Sequence, residues 1–416
     1  MSSTQRSLWR HPDFAKLWLG QTISLFGSAV TMLALPSVAI LTLGAKTYQV
    51  GLLESAQFLA FPILGLPAGV WVDRLSRKSV MIVADLGRAG LLAWIPLAWA
   101  LHALRLWQLY VVALAIGVLT VFFDVAYQSY LPSLVQRSAL LEGNAKLEIS
   151  RSASEVAGHG LGGVLVQALG APLAILADAL SFLASVCSLA LIAKRGSAVQ
   201  PRLQSQTFMS DLREGAQVVF GSPILRNIAA STATSNFGSS LLSAVFLIFA
   251  YRELHLAPAL VGVILAFGNA GVLGAFFSSR IARRVGLGKT LAGATALGGL
   301  GILVTPLAAL WAPVSLLVAS QLIFSFSIPL YNVNQVSLRQ TIVADALQGR
   351  VNATMRTIAW GTLPLGGAIG GLLGGAIGVL PTIVIAGLIS LSAALWIRCS
   401  EVYRLTSIPA EAVEVR

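Results

Sequence analysis

The feature that most constrains this chain is its series of twelve long apolar stretches. A helix that crosses a bilayer needs about 20 apolar residues. Runs of this length without alternation of apolar and polar residues predict helices rather than the strands of a barrel. The stretches lie near residues 17–43, 49–72, 79–101, 106–128, 149–169, 172–193, 227–250, 258–279, 290–310, 312–338, 357–379 and 380–397. The sequence therefore predicts an all-α integral membrane protein with twelve transmembrane helices.

The composition excludes most soluble classes of protein. Charged residues make up only 11% of the 416 residues, whereas a soluble domain has about 25%. Cys187 and Cys399 lie in or beside apolar stretches and cannot form a disulfide framework. A net charge of +12 is typical of some nucleic-acid-binding proteins, but here the basic residues lie between the apolar stretches. We therefore expect no nucleic-acid partner and a lipid bilayer around the protein.

The distribution of Lys and Arg predicts the orientation of the chain. If the N-terminus is cytoplasmic, 24 of these residues lie in inner segments, and only Lys46, Arg105 and Arg252 lie in outer loops. Basic residues are retained on the cytoplasmic side of a membrane. We expect a multi-pass protein of the cytoplasmic (inner) membrane with both termini in the cytoplasm.

The chain divides into two similar halves. The dipeptide Asn-Ala occurs at 144–145 and again at 352–353, and Gly-Gly occurs at 162–163 and again at 366–367. The basic pair at 77–78 corresponds in the same way to the pair at 283–284. Six spans return the chain to the same side, so the halves are parallel repeats, which typically place a binding site between them near the bilayer midplane.

This symmetry predicts four segments. They are an N-terminal six-helix bundle (1–193), a cytoplasmic linker (194–226), a C-terminal six-helix bundle (227–400) and a cytoplasmic tail (401–416). Within the linker, apolar residues from Met209 to Val219 share one face of a helix. This stretch is either a short interfacial helix or an ordinary solvated linker.

The loop after span two carries the most specific motif. Residues 69–78 read GVWVDRLSRK, which resembles the G-x-x-x-D-R-x-G-R-[RK] signature of the major facilitator superfamily, with Ser76 where glycine is usual. Residues 274–284 hold a degraded copy, with Ser278 or Ser279 in place of the aspartate. The resemblance covers essentially the whole chain and implies the major facilitator fold of two pseudo-symmetric six-helix halves.

Two further stretches resemble a narrower branch of this superfamily. Residues 84–89 read ADLGRA and residues 177–182 read ADALSF. Both resemble the branch that contains macrolide-efflux proteins and the enterobactin exporter. The resemblance therefore implies export rather than uptake.

The resemblance also implies an inner gate. Asp73 can cap the N-terminus of span eleven, where backbone N–H groups are unpaired, and Arg77 can pair with Asp124, the only acidic residue in span four. These contacts would close the inner side in the outward-open state. The alternative is that the basic loop only anchors the topology. The residues expected to form the gate are Gly69, Asp73, Arg74, Arg77, Lys78 and Asp124.

Span five resembles the exporters' G-P-x-x-G-G motif, with one departure. Residues 158–163 read GHGLGG, so His159 stands where proline is usual. The glycines allow close helix approach, and the imidazole is either ionisable or neutral and bonded to a nearby carbonyl. Residues 106–128 contain no Lys or Arg, so the span-four arginine of many drug–proton antiporters is absent and coupling must use other groups.

Ionisable side chains within the predicted spans all lie in the first half. Such groups are costly in a bilayer and are candidates for function. Our proton-coupling candidates are Glu155, His159 and Glu54, because Glu155 and His159 lie four residues apart on one helix face and Glu54 lies near the outer end of span two. A permanent Glu155–Arg151 pair is the competing interpretation. The charges interpreted as structural are Asp85, Arg88, Asp178 and Arg151.

Aromatic and amide side chains are the candidates for the substrate cavity. In the superfamily, spans one, four, seven and ten line that cavity. A wide apolar pocket with a few polar groups suits bulky amphiphilic ligands, although packing between helices is the alternative for any single residue. The candidates are Gln21, Phe26, Phe122, Phe123, Asn236, Phe237, Phe324, Phe326, Tyr331 and Asn332.

The function implied by the resemblance is secondary active transport. We expect a monomeric antiporter that exports bulky amphiphilic molecules, drug-like or siderophore-like, by alternating access in exchange for protons, as in multidrug resistance. An uptake transporter or a facilitator of an endogenous metabolite or lipid is the alternative. The sequence has no H-E-x-x-H motif and no phosphate-binding loop, so we expect no enzyme activity, cofactor or metal. No filter sequence of a channel is present either.

Overall fold

The computed structural model describes residue 8 and residues 11–65, 67–72, 74–136, 139–193 and 208–407. These residues are almost entirely helical, and no strand occurs among them. The predicted all-α class is therefore confirmed. Asp73, most of the linker (194–207) and most of the tail (408–416) lie outside the described residues.

The first half contains seven helices that form six spans. Spans one, three, four, five and six are single helices, whereas span two consists of two. The helices are α1 (Pro12–Ser37), α2 (Thr47–Leu64), α3 (Pro67–Val72), α4 (Arg77–Ala100), α5 (Leu106–Leu134), α6 (Leu140–Leu169) and α7 (Ala171–Ala190). A π-helical turn, Val38–Thr42, extends α1.

The second half repeats this order after a linker helix. Span eight, like span two, consists of two helices. The helices are α8 (Phe208–Gly221), α9 (Pro223–Ile248), α10 (Pro258–Phe267), α11 (Val272–Val285), α12 (Leu287–Val304), α13 (Pro313–Ile342), α14 (Asp345–Ala376) and α15 (Val379–Arg398). The π-helical turn Phe249–Glu253 extends α9 as its counterpart extends α1.

Prolines and glycines set many of these boundaries. Proline opens α1, α3, α9, α10 and α13, where its fixed φ suits the first turn and its missing N–H has no partner to lose. Gly170 and Gly378 make the short turns before α7 and α15 with φ of 84° and 95°, a conformation that side chains disfavour. These turns join span five to span six and span eleven to span twelve.

Nine helical segments among the described residues are long and apolar enough to cross a membrane. The other three predicted spans are two, five and eight. Spans two and eight are broken near Gly65–Pro67 and at the 3-10 turn Gly268–Gly271, because glycine and proline weaken a helix. Span five is more polar, since its helix contains Arg151, Glu155 and His159.

The packing of the helices shows the repeat directly. In the first half, α1 packs against α6 and α7, and α4 packs against α5 and α7. In the second half, α9 packs against α14 and α15, and α12 packs against α13 and α15. These helices of the two halves therefore pair in the same way.

Contacts group the described residues into two compact units. Unit 1 contains those within Met1–Ala45, Ile63–Leu203 and Ala257–Ala266, and unit 2 contains those within Lys46–Pro62, Gln204–Leu256 and Phe267–Arg416. Most of α2 thus groups with second-half helices, and most of α10 groups with first-half helices. The second helices of these two spans, α3 and α11, pack within their own halves, against α5 and α13.

Glycine explains why α10 groups with unit 1. A Cβ atom on Gly163 of α6 would lie 2.5 Å from the Pro258 carbonyl oxygen and 2.9 Å from the Cα atom of Gly262. The side-chain oxygen of Gln167 also accepts a hydrogen bond of 3.1 Å from the Ala259 N–H. The two backbones are in direct contact, an arrangement that small residues permit between membrane helices. We call this contact the first glycine seam.

A second glycine seam joins α2 to α14 in unit 2. A Cβ atom on Gly51 would lie 2.5 Å from the Gly367 carbonyl oxygen and 2.5 Å from the Cα atom of Gly371. Ser55 donates a 2.7 Å hydrogen bond to the Pro364 carbonyl oxygen. The Gly-Gly repeat at 162–163 and 366–367 therefore supplies one glycine to each seam.

The linker contains a helix that packs on the start of span eleven. Gly215 of α8 lies against α14, because a Cβ atom there would be 2.5 Å from both the Arg350 carbonyl oxygen and the Thr354 hydroxyl. Glu214 forms a 2.5 Å ion pair with Arg350. Of the two interpretations of this stretch, the structure gives a helix, and the helix packs against α14.

The first glycine seam predicts the effect of a larger side chain. Gly163→Leu should destabilise the protein by about 1–3 kcal/mol, because the added atoms overpack the contact with α10. The control is Gly160→Leu on the same helix, since a Cβ atom at Gly160 meets no atom within 4 Å. Thermal unfolding of the purified protein measures both. Equal unfolding temperatures for the two variants would contradict the account of the seam.

Candidate functional site

The predicted gate loop connects α3 to α4. Gly69 lies in α3, Arg74 is exposed in the turn, and Ser76 is the N-cap of α4. The Ser76 hydroxyl accepts a hydrogen bond from the Ser79 N–H at 3.4 Å, and its φ is −67°. Serine thus fits the position where the superfamily has glycine, because the backbone there needs no positive φ and the hydroxyl caps the helix.

The two basic residues after Ser76 attach α4 to its neighbours. Arg77 Nη1 donates a 2.7 Å hydrogen bond to the Ser129 carbonyl oxygen of α5. Lys78 Nζ donates to the carbonyl oxygens of Ala190 and Ile192, at 3.1 and 2.7 Å. A cation at these carbonyls stabilises the C-terminal end of α7.

Asp124, the predicted partner of Arg77, lies half-buried on α5. Asp124 interacts electrostatically with Tyr127 one turn further on, as do Glu148 and Arg151 of α6. Arg77 reaches the same helix five residues beyond Asp124, at Ser129. The Arg77–Asp124 pair and the cap by Asp73 stay predictions.

The degraded copy of the motif has a defined polar contact. Ser278 is buried and accepts a 2.8 Å hydrogen bond from Asn334 Nδ2 of α13, whereas Ser279 is exposed. The sequence left both serines open as counterparts of the aspartate. The contact singles out Ser278 as the residue that joins α11 to α13.

A polar stripe runs along one face of α6 toward the first glycine seam. Arg151 Nε and Glu155 Oε1 are 3.3 Å apart, and both side chains are exposed on the protein. His159 Nδ1 lies 2.7 Å from the Glu155 carbonyl oxygen, so this nitrogen donates the hydrogen bond. Gly163 follows one turn later. The stripe therefore holds one ion pair and one carbonyl-bonded imidazole.

Glu54 lies on α2 in unit 2, apart from that stripe. Its side chain is half-buried, and the Ser243 hydroxyl of α9 hydrogen-bonds to its carboxyl group. The neighbouring Ser55 belongs to the second glycine seam. Glu54 thus belongs to unit 2, whereas the other two proton-coupling candidates belong to unit 1.

Asp85, Arg88 and Asp178 lie together inside unit 1. Arg88 Nη2 forms an ion pair with Asp85 Oδ1, and its guanidinium lies 4.4 Å from the ring centroid of Phe123 and 4.2 Å from that of Phe182. Asp178 interacts electrostatically with both Arg88 and Asp85. Sequence spacing could suggest the Asp85–Arg88 pair but not its partner 90 residues away.

The first-half cavity candidates have different environments. Gln21 and Phe26 are half-buried on α1, and Phe26 lines a crevice of about 290 Å³ between α1, α6 and α7. Phe122 stacks on Trp71, with ring centroids 5.8 Å apart. Phe123 is only 2% exposed and packs against Arg88, so it belongs to the helix packing of unit 1.

The second-half candidates differ in the same way. Asn236 donates a 2.9 Å hydrogen bond to the Ala359 carbonyl oxygen. Tyr331 is buried, with its hydroxyl 2.9 Å from that of Thr232. Asn332 is exposed. Three half-buried aromatic candidates complete the set: Phe237, Phe324 and Phe326.

Comparison with known proteins identifies the family. The family model described as the Major Facilitator Superfamily matches residues 17–360. The multidrug efflux pump Tap of Mycolicibacterium fortuitum is 25% identical over 393 residues, which cover 92% of this chain and 93% of Tap. Macrolide efflux protein A of Streptococcus pyogenes is 24% identical over 395 residues, with coverage of 90% and 92%.

Solved structures show the same fold at lower identity. A mutant of the nucleoside transporter NupG matches with a TM-score of 0.77 and 13% identity, over 93% of this chain and 99% of that one. A bacterial homologue of the human lysosomal transporter Spinster matches with a TM-score of 0.75 and 14% identity, over 96% and 98%. The predicted twelve-helix fold is confirmed, and the chain is a multi-pass membrane transporter that belongs to the Major Facilitator Superfamily.

Proposed function

We propose that this transporter exports bulky amphiphilic small molecules across the cytoplasmic membrane in exchange for protons. The relatives named as multidrug and macrolide efflux proteins support the direction and the substrate class. The observation that carries the coupling is the polar stripe of α6, where Arg151, Glu155 and His159 lie in line with the first glycine seam. We also propose that the protein is a monomer. Its termini lie in the cytoplasm in this proposal, because basic residues concentrate in the segments on the same side as the termini.

Half-buried aromatic and amide side chains support a bulky, largely apolar substrate. Phe26, Phe237 and Phe324 are only partly covered by other helices, and so is the amide of Gln21. Aromatic rings offer large contact areas without fixed hydrogen-bond geometry, which suits ligands of varied shape. Cavity walls of this kind have a few polar groups that orient the ligand.

Glu155 is our choice for the proton-responsive acid. Its carboxylate pairs with Arg151 one turn away, while the imidazole of His159 bonds to its backbone carbonyl. A carboxylate within a membrane span is strongly disfavoured unless it is paired or neutral. Protonation would release Glu155 from Arg151 and give the acid two states, which coupling requires.

This choice predicts the effect of removing the charge. Glu155→Gln should abolish transport driven by a pH gradient and leave substrate binding and folding intact, since glutamine keeps the shape but cannot ionise. Glu148→Gln, on the exposed start of the same helix, is the control. The measurement is dye uptake by inverted proteoliposomes. An unchanged pH dependence in a well-folded Glu155→Gln protein would support the permanent pair with Arg151, and Glu54→Gln would then be tested.

The energy source gives a second prediction. An imposed proton gradient alone should drive accumulation of ethidium or erythromycin in inverted proteoliposomes, because a secondary transporter draws on an ion gradient. Collapse of the gradient by an ionophore should stop it. Accumulation that continues without a gradient and requires added ATP would contradict the proposal. Accumulation only in the opposite direction would favour the uptake alternative.

The gate gives a third prediction. In a background with Cys187→Ser and Cys399→Ser, Arg77→Ala should raise several-fold the labelling of Gln21→Cys from the cytoplasmic side. The physical reason is the loss of the Arg77 hydrogen bond to the Ser129 carbonyl, together with the proposed pair with Asp124. Asp73→Asn should act in the same direction.

The matched control for the gate is Arg283→Ala. Arg283 is the repeat-related arginine and is exposed, so its removal should leave labelling unchanged. If Arg77→Ala and Asp73→Asn label at the parent rate, the loop only anchors the topology.

A further inference from the structure

Three ionisable side chains, Asp85, Arg88 and Asp178, are buried inside unit 1. Asp85 is 0% exposed, Arg88 5% and Asp178 1%. Arg88 Nη2 pairs with Asp85 Oδ1, and the charged partners of Asp178 are Arg88 and Asp85. The two helices that supply these groups, α4 and α7, pack directly against each other. We call these three residues the buried charge network.

The network has an odd number of charges. The guanidinium of Arg88 is always protonated, and the rings of Phe123 and Phe182, whose centroids lie 4.4 and 4.2 Å away, favour a cation there. Two ionised carboxylates beside one guanidinium leave one negative charge uncompensated. A buried charge without a partner is strongly disfavoured, and such a group becomes neutral instead.

Hydrogen bonds in the network are incomplete as well. Among the described residues, Asp85 Oδ2 and Arg88 Nε are buried with no hydrogen-bond partner. Asp178 has a hydroxyl neighbour, since Ser181 Oγ donates to its Oδ1 at 2.9 Å. Ser185 hydrogen-bonds to the Asp85 carboxyl group. The carboxyl oxygens thus lie among hydroxyls that can pass a proton, and one oxygen is open to hold it.

The fold does not require these charges. The repeat-related helices lack such charges, since residues 290–304 of α12 and residues 379–397 of α15 include no charged side chain. Those helices pack against each other as α4 and α7 do. The second half therefore builds the same contact from neutral residues, so packing alone does not explain the charges of the first half.

Glycine residues bring α1 close to the buried charge network and to the serine hydroxyls along α7. A Cβ atom on Gly27 would lie 2.5 Å from Asp178 Oδ1, and one on Gly20 would lie 2.8 Å from the Cβ atom of Ser188. Ser181, Ser185 and Ser188 fall on one face of α7 and cover about 10 Å along its axis. Ser188 donates to the Lys16 carbonyl oxygen near the basic end of α1. Hydroxyl groups thus extend from the network toward that end.

Other charged groups on the packed helices have neighbours of their own. Asp13 pairs with Lys16 on α1, Asp124 on α5 interacts with Tyr127, and Glu155 on α6 pairs with Arg151. Arg77 and Lys78 on α4 bind carbonyl oxygens of α5 and of the end of α7.

We propose that Asp85, Arg88 and Asp178 form a buried binding site for one exchangeable proton, which is held on a carboxyl group of the network. The proton binds to one carboxylate oxygen and leaves as H⁺, and no other bond changes. The use of this proton in transport rests on the proton coupling proposed above, whereas its binding does not. The site differs from Glu155, which is exposed on the protein and pairs with Arg151.

Infrared spectroscopy of the full-length protein in liposomes tests the site directly. A protonated carboxyl group has a carbonyl stretching band that an ionised carboxylate lacks, and the band shifts when the proton is exchanged for deuterium. The parent protein at neutral pH should show this band. Asp178→Asn should remove it, Asp178→Glu should keep it at a shifted frequency, and the exposed control Glu401→Gln should leave it unchanged. A missing band in the parent, or an unchanged band in Asp178→Asn, would overturn the proposal.

A second variant decides the matter if Asp178→Asn does not fold. The double variant Glu54→Gln with Glu155→Gln leaves the network intact, so the band should persist at full intensity. Loss of the band there would assign the proton to those acids and overturn the proposal. The infrared result is independent of transport. If the band behaves as expected while a proton gradient fails to drive export, the coupling proposal fails and the buried site stands.

Discussion

Direct contact between helix backbones is the interaction on which the rest of this structure depends. Within a bilayer, no hydrophobic force draws apolar helices together, so close approach at small residues and internal hydrogen bonds must hold them. Gly163 against Gly262, and Gly51 against Gly367, allow two pairs of helices to touch along their main chains. The breaks in spans two and eight coincide with this packing, because α2 and α10 pack at the seams while α3 and α11 pack in their own halves.

The two halves have the same helix pairing but differ in the ionisable residues within their spans. Equivalent helices make equivalent contacts in both halves, yet the acids within the predicted spans all occur in the first half. In the second half, residues 290–304 of α12 and residues 379–397 of α15 hold no charged side chain. Comparison of the two halves thus separates the residues that helix packing requires from those that helix packing does not explain. On this basis we assign proton chemistry to the first half, while candidate substrate contacts occur in both.

Much of the fold could be predicted because bilayer helices leave strong signals. The number of spans and their order followed from apolar length, and the family followed from the loop at residues 69–78. The breaks at Gly65 and at Gly268–Gly271 were not predicted, since a continuous helix and a broken helix can both have an uninterrupted apolar sequence. The grouping of α2 with second-half helices depends on contacts about 310 residues apart in sequence, at Ser55 and Pro364.

The candidate site was less predictable, because the separation of residues along the sequence identifies only neighbours on the same helix. Spacing predicted the possible partners of Glu155, four residues away, and could suggest that of Asp85, three residues away. It could not show that Asp178 interacts with Arg88, nor that the rings of Phe123 and Phe182 contact the guanidinium. The carbonyl partner of His159 was one of two alternatives that the sequence left open. Ser76 was noted as a departure, and only the backbone angle shows why serine fits there.

Reverse coupling tests the central claim, which is exchange of substrate for protons. Because coupling between two gradients is reciprocal, a substrate gradient must move protons. Proteoliposomes are loaded with ethidium, whose permanent charge cannot carry protons by itself, and are diluted into dye-free buffer with the membrane potential clamped. A pH-sensitive dye in the lumen reports the result. The account predicts that the lumen acidifies as ethidium leaves, in the parent protein and not in Glu155→Gln. A lumen that becomes alkaline, or stays constant while ethidium leaves through the protein, would contradict it.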